Sequence, residues 1–177
     1  MSTAFSDWGR LPSASTGVDP ERAQALAETL HRGQRDPGGA LLLGHIRRVV
    51  TAVSGTARIV AWLHEVFEYT TISEEALLAE GLTLDELRAL RLLARGEDAR
   101  SDQIYLAHVD LIANARGPGA DLAQTVKRAD LADRVLHPAI RVDGWAPPYE
   151  AALEVMRPNV VSLPSKRVGY AWKRSGR

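Results

Sequence analysis

The sequence predicts an all-α fold, a single bundle of about eight helices. Apolar residues recur at spacings of three and four along most of the chain, as they do on the buried stripe of a helix. No segment alternates polar and apolar residues in the manner of a half-buried strand. Clusters of Gly and Pro cut the chain into pieces of helical length. With 177 residues, 45% hydrophobic and 25% charged, there is material for one domain with a substantial core.

Residues 1–19 hold Ser, Thr, Gly and Pro with scattered apolar positions and read as an N-terminal arm. Asp19-Pro20-Glu21 then has the form of a helix start, Asp19 as N-cap and Pro20 at the first helical position. Ala23, Leu26, Ala27 and Leu30 place a first helix over 21–33. Gly33 and Asp36-Pro37-Gly38-Gly39 make a loop. A second helix is expected over 41–52, broken by Ser54-Gly55, and a third, strongly apolar and therefore central, over 56–68. Ser73, Glu75 and Ala76 open a short helix that Gly81 ends. Thr83-Leu84-Asp85-Glu86 is a capping box that starts a helix running to 94. Arg95-Gly96-Glu97-Asp98 is a turn. Helices over 101–114 and 121–136 follow, separated by Gly117-Pro118-Gly119. After a loop marked by His137-Pro138, Gly144 and Pro147-Pro148, a last helix covers 149–156. The domain is thus expected over 20–157, with a basic tail over 158–177 carrying Lys166, Arg167, Lys173, Arg174 and Arg177.

Lys+Arg and Asp+Glu balance at 22 each, so net charge gives no reason to expect nucleic acid or a membrane as partner. The absence of cysteine excludes disulfides, thiolate metal sites and Cys nucleophiles. No secretory leader is recognisable at the N-terminus and no stretch has the length of a membrane span, so a cytoplasmic protein is expected.

The chemistry is concentrated in Val60-Ala61-Trp62-Leu63-His64-Glu65-Val66-Phe67-Glu68-Tyr69-Thr70. On one continuous helix Ala61, His64, Glu65 and Glu68 share a stripe. A buried helix would then present an imidazole and two carboxylates to one point, which is costly unless they are paired or bind a metal. His45 lies in an otherwise apolar helix; alone it reads most simply as a core histidine satisfied by a neighbour. Lys127, Asp130, Arg134 and His137 share a polar face of a later helix, with Val126, Ala129, Ala132 and Val135 or Leu136 on its core side. Together His45, His64, Glu65 and Asp130 make a candidate site for a first-row divalent ion.

The order of His45, then His64 followed directly by an acid, then Asp130 in Val-Lys-x-Ala-Asp-Leu, resembles the H…HD…D pattern of the HD superfamily of metal-dependent phosphohydrolases. His31-x-Gly33-Gln34-Arg35 with His45 beyond it is similar to the opening of RelA/SpoT-type hydrolase domains and their small stand-alone relatives. Ala57–His64, the Glu68…Thr70-x-Ile72-Ser73 stretch, Gly81-Leu82-Thr83, Tyr105 and Tyr149-x-Ala151-Ala152-Leu153 extend the likeness over about residues 20–156. The resemblance implies an HD-domain bundle in which His45, His64, Glu65 and Asp130 hold a Mn²⁺-like ion. It implies hydrolysis of a nucleotide or other phosphorylated small molecule, such as ppGpp. Glu68 would help activate water. Arg35 and Tyr105 would contact the nucleotide. On the reading of this chain as such an enzyme, Arg35, Lys127 and Arg134 are expected to neutralise phosphates. A homo-oligomer is compatible with it.

Three positions depart from the family pattern: Glu65 stands for Asp, Tyr69 for the second acid of a Glu-Asp pair, and Arg134 for Asn. Glu65 is either a ligand or an ion-pair partner of Arg134 or Lys127. Arg134 either clamps a phosphate or pairs with Glu65 or Asp130 in place of the metal. Two main functions therefore stay open, a metal-dependent phosphohydrolase and a catalytically degenerate, metal-free binding or regulatory module, with different chemistry on a small molecule in the altered pocket as a third. His31 is expected to be structural, near a helix C-terminus that favours its charge. His108 and His137 are expected at the surface or in loops, and Tyr69 and Trp62 in packing.

Overall fold

A computed structural model describes residues 17–96, 101–139 and 144–157. Most of the expected arm, part of the turn after Arg95, part of the loop before Gly144 and the whole basic tail lie outside the described residues. Among the described residues the fold is all-α. The helices are α1 (Pro20–Leu30), α2 (Leu42–Thr51), α3 (Ala57–Leu63), α4 (Val66–Tyr69), α5 (Glu74–Ala79), α6 (Leu84–Leu93), α7 (Asp102–Asn114), α8 (Ala120–Leu136) and α9 (Tyr149–Val155). An isolated bridge between Arg35 and Leu41 closes the loop between α1 and α2.

The helix starts follow from local chemistry. Asp19 accepts the Arg22 N–H, Ser73 that of Ala76 and Ser101 that of Ile104, each satisfying an amide the helix itself leaves unpaired. Thr83 and Glu86 form the expected reciprocal box at α6. Gly119 opens α8 at φ +80, where a Cβ would stand 2.4 Å from the Asp85 carbonyl oxygen, so only glycine lets α8 meet α6 this closely.

Helices α3 and α8 are the two pillars of the domain. Ala57, Ile59, Val60, Ala61, Trp62 and Leu63 of α3 are all buried, and α3 packs against α1, α2, α6 and α8. Helix α8 packs against α2, α3, α6, α7 and α9. Each large apolar side chain buried here contributes about 1.5–3 kcal/mol of burial free energy, which is what holds the ionisable groups between the pillars in place.

Two expectations are corrected. The third helix is not continuous over 56–68: it ends at Leu63, Glu65 sits at φ −99, ψ 0, and α4 restarts at Val66. That bridge-region backbone is where many site residues sit, and here it separates His64 and Glu65 from the register of Glu68. The second correction concerns α8, where Ala132 and Leu136 are exposed, Leu136 at 75%, whereas Lys127, Asp130, Asp133 and Arg134 are buried. Ion pairing with α2, α3 and the α1–α2 loop, rather than hydrophobicity, decides which side of this helix faces inward.

Candidate metal centre

Four expected ligands from three parts of the chain converge. His45 comes from α2, His64 and Glu65 from the α3–α4 junction, and Asp130 from α8. All are buried, and one ligand atom from each lies within 4.8 Å of the others. His45 Nε2 stands 3.2 Å from His64 Nε2, 3.4 Å from Glu65 Oε1 and 3.3 Å from Asp130 Oδ1. His64 Nε2 is 3.6 Å from Glu65 Oε1.

The outer nitrogens fix what the inner ones can do. His45 Nδ1 meets Asp133 Oδ2 at 2.7 Å, and His64 Nδ1 meets the Ala61 carbonyl oxygen at 2.7 Å. Both oxygens are acceptors without a proton to give, so each Nδ1 carries the hydrogen and each Nε2 aims its lone pair at the centre. Two lone pairs and two carboxylate oxygens facing one point repel unless a positive charge sits among them.

A proton is one such charge. Burial works against a charged imidazole at His45, yet Asp130, Asp133 and Glu65 outweigh it and raise His45 to about 10. Burial lowers His64, and the neighbouring His45 charge lowers it further. Burial opposes ionisation of Glu65, but His45, His64 and Arg134 overcome it and hold the carboxyl below its usual range. Asp130 is held well below it too, burial being outweighed by Lys127 and the two imidazoles.

The spacing admits an ion as well as a proton. A charge-assisted hydrogen bond closes to about 2.7–2.9 Å, whereas His45 Nε2 is 3.2–3.4 Å from all three neighbours. Donors about 2.1 Å from a common tetrahedral ion are separated by roughly 3.4 Å, close to the distances found. The donor set of two imidazoles and two carboxylates is the kind that takes Mn, Fe, Co, Ni or Zn. The buried His/His/Glu/Asp group therefore can hold a metal ion.

Around this node runs a shell of ion pairs. Lys127 Nζ donates to Asp130 Oδ2 at 2.8 Å. Arg134, 6% exposed, donates to Asp36 Oδ2 at 3.1 Å and Glu65 Oε1 at 3.2 Å, and its Nε lies 3.8 Å from Asp130 Oδ1. Asp36 in turn accepts the Gly38 and Ala40 N–H groups. The buried carboxylates Asp36, Glu65, Asp130 and Asp133 face the permanent cations Arg48, Lys127 and Arg134, which leaves one positive charge to be supplied at the node.

A cleft opens from the node to solvent, its empty space about 590 Å³ with the mouth included. His64, Glu65, Lys127, Asp130 and Arg134 form its polar floor, and Tyr69, Tyr105, Trp145 and Tyr149 stand in its walls. Tyr105 is buried, its ring centroid 5.7 Å from the Arg95 guanidinium and 5.6 Å from Lys127 Nζ, and the ring is edge-on to Tyr149. Glu68 reaches the cleft wall, but both its oxygens accept from Arg95, at 2.6–3.1 Å from the guanidinium. Arg35 is not brought to the cleft: it is exposed and its guanidinium donates to the Gly39 carbonyl.

His31 is fully buried. Its Nδ1 donates to Gln34 Oε1 at 2.8 Å, and Gln34 donates to the Tyr69 carbonyl, so this motif ties the α1–α2 loop to α4. His108 is half-buried against the Leu92 carbonyl rather than at the surface, His137 is exposed, and Trp62 is in the core. Tyr69 lines the cleft instead of only packing. The sequence reading missed Asp133, Arg48, Asp36 and Arg95. Asp133 and Arg48 were findable, each three residues past a ligand on the same helix; nothing local marked Arg95. The chain matches no protein-family model, and no curated protein matches it.

Proposed function

We propose that this chain is a metal-dependent phosphohydrolase of the HD type, which binds one divalent ion, Mn²⁺ by the resemblance, through His45, His64, Glu65 and Asp130. The observation that carries the reading is the convergence of two imidazole Nε2 atoms and two carboxylate oxygens on one buried point, with the Arg134 guanidinium at its edge, 3.2 Å from Glu65 Oε1 and 3.8 Å from Asp130 Oδ1. When bound, such an ion supplies Lewis acidity toward water and a phosphoryl oxygen. The rest of the chemistry belongs to the chain. Lys127 and Arg134 hold the carboxylates in place and put positive charge on the cleft floor. Arg95, aimed by Glu68, adds charge at the wall. Aromatic walls beside cations suit a nucleotide, whose base is planar and whose phosphates are anionic. A guanosine nucleotide with a pyrophosphate group, such as ppGpp, is the first substrate to try.

The test is release of phosphate or pyrophosphate from ppGpp and common nucleotides with Mn²⁺, beside His64→Ala. Mn²⁺-dependent turnover abolished in the variant is expected; turnover unchanged by His64→Ala would refute the assignment. One observation favours a second reading, a metal-free binding module. Arg134 already engages Glu65 and Asp36, with Asp130 close by, as a built-in cation would. Tight nucleotide binding by chelator-treated protein, with no turnover in Mn²⁺, would establish that reading instead.

A further inference from the structure

Helices α2 and α8 face each other as a ladder. The ligands His45 and Asp130 form one rung, at 3.3 Å. Three residues further along each helix, Arg48 and Asp133 form the next, Arg48 Nε donating to Asp133 Oδ1 at 2.6 Å and its terminal nitrogen to Oδ2 at 3.0 Å. A diagonal joins the rungs, from His45 Nδ1 to Asp133 Oδ2 at 2.7 Å. The Asp133 side chain is 8% exposed and that of His45 1%, while Arg48 reaches solvent at 44%.

The two imidazoles are therefore supported differently. His64 donates to a neutral backbone carbonyl within its own turn. His45 donates to a full carboxylate that is held from the other side by a bidentate guanidinium. A carboxylate at Nδ1 fixes the tautomer and the ring plane and makes Nε2 the stronger donor to a cation.

We propose that Asp133, clamped by Arg48, is the positioning residue of the metal centre, setting the tautomer and donor strength of His45 and with them the affinity for the ion. This rests on the metal-centre reading above. Asp133 does not line the cleft, and of the four ligands it bonds His45 through Nδ1, so its effect on the ion passes through that ring; Arg48 and, at 3.3 Å, His137 Nδ1 are its other side-chain partners. A bridge that merely joined α2 to α8 would act on stability alone. Arg48→Met removes the outer rung and leaves the His45 contact, Asp133→Asn keeps an acceptor for Nδ1–H but removes its charge, and Asp133→Ala removes both. The order of effect on metal affinity is then Asp133→Ala greatest, Asp133→Asn intermediate, Arg48→Met least.

Zn²⁺ affinity, measured by competition with a chromophoric chelator on the whole chain, tests this beside a long-range ¹H–¹⁵N spectrum of the Zn²⁺-loaded histidines. Asp133→Ala is expected to weaken Zn²⁺ binding roughly 10–100-fold, and Asp133→Asn to weaken it less while moving the His45 Nδ1 proton upfield. Should Asp133→Ala not fold, Asp133→Asn decides alone through the same two readings. Affinity within twofold of wild type and an unmoved Nδ1 proton would overturn the proposal and leave the metal centre standing. Wild-type protein that binds no Zn²⁺ would overturn both.

Discussion

Replacing Arg134 by methionine probes the ion-pair shell at its most connected point. The guanidinium joins the α1–α2 loop, the α3–α4 junction and its own helix through Asp36, Glu65 and Asp130. Methionine fills most of the volume and removes the charge, leaving Glu65 with only the two imidazoles, Asp130 with Lys127 and His45, and Asp36 with its backbone donors. Breaking one side of such a buried pair costs about 3–5 kcal/mol. In a domain of this size 1 kcal/mol moves Tm by about 3 °C, so chelator-treated Arg134→Met should melt roughly 10 °C below wild type. Asp36 keeps the Gly38 and Ala40 amides, which places the estimate at the lower end of that range. A divalent ion at the node would compensate Glu65 and Asp130, so added Zn²⁺ should raise Tm more in the variant than in wild type. Differential scanning calorimetry with and without Zn²⁺ reads both effects. A drop under about 3 °C, or a Zn²⁺ increment no larger than that of wild type, would refute the electrostatic reasoning.

Other outcomes follow from the same geometry. His45 stands at about 10 in the folded chain against an ordinary 6.5, so its protonation stabilises the chelated protein fully below pH 6.5 and that contribution is lost as pH rises through 10. Melts across that window should fall for chelated protein and stay level for Zn²⁺-loaded protein; a level chelated curve would contradict the assignment of charge to His45. Glu68→Gln unmakes the clamp on Arg95 and should lower stability by about 1–3 kcal/mol, read from urea titration, with metal content unchanged. Loss of the metal would show that Glu68 belongs to the node after all. Gly119→Ala drives a Cβ into the Asp85 carbonyl at 2.4 Å and should cost at least about 2 kcal/mol; a neutral substitution would mean that α6 and α8 do not meet so closely.

Much of this was legible in the sequence. Asp19-Pro20, Ser73, Thr83 with Glu86, and Ser101 mark helix starts by chemistry that needs no tertiary partner, and the structure places helices at each. The four ligands could be picked out because ionisable residues on apolar helices demand an explanation. What the sequence hid depends on backbone detail or on distant pairing. The turn at Glu65 cannot be seen in a run whose residues all suit a helix, and neither can the pairing of Glu68 with Arg95, 27 positions away. The inward side of α8 was misjudged at Ala132 and Leu136 because charges satisfied across helices count as core, which hydrophobic periodicity cannot register. Asp36 looked like an ordinary turn residue; only its distance from Arg134, 98 positions away, reveals its second bond.

The metal content of protein purified without chelators, beside His64→Ala, tests the central claim most directly. Near one transition-metal ion per chain, lost in the variant, is the predicted result. No metal in the wild type, even after soaking in Mn²⁺, would contradict it and leave Arg134 and a proton on His45 as the permanent occupants of the site.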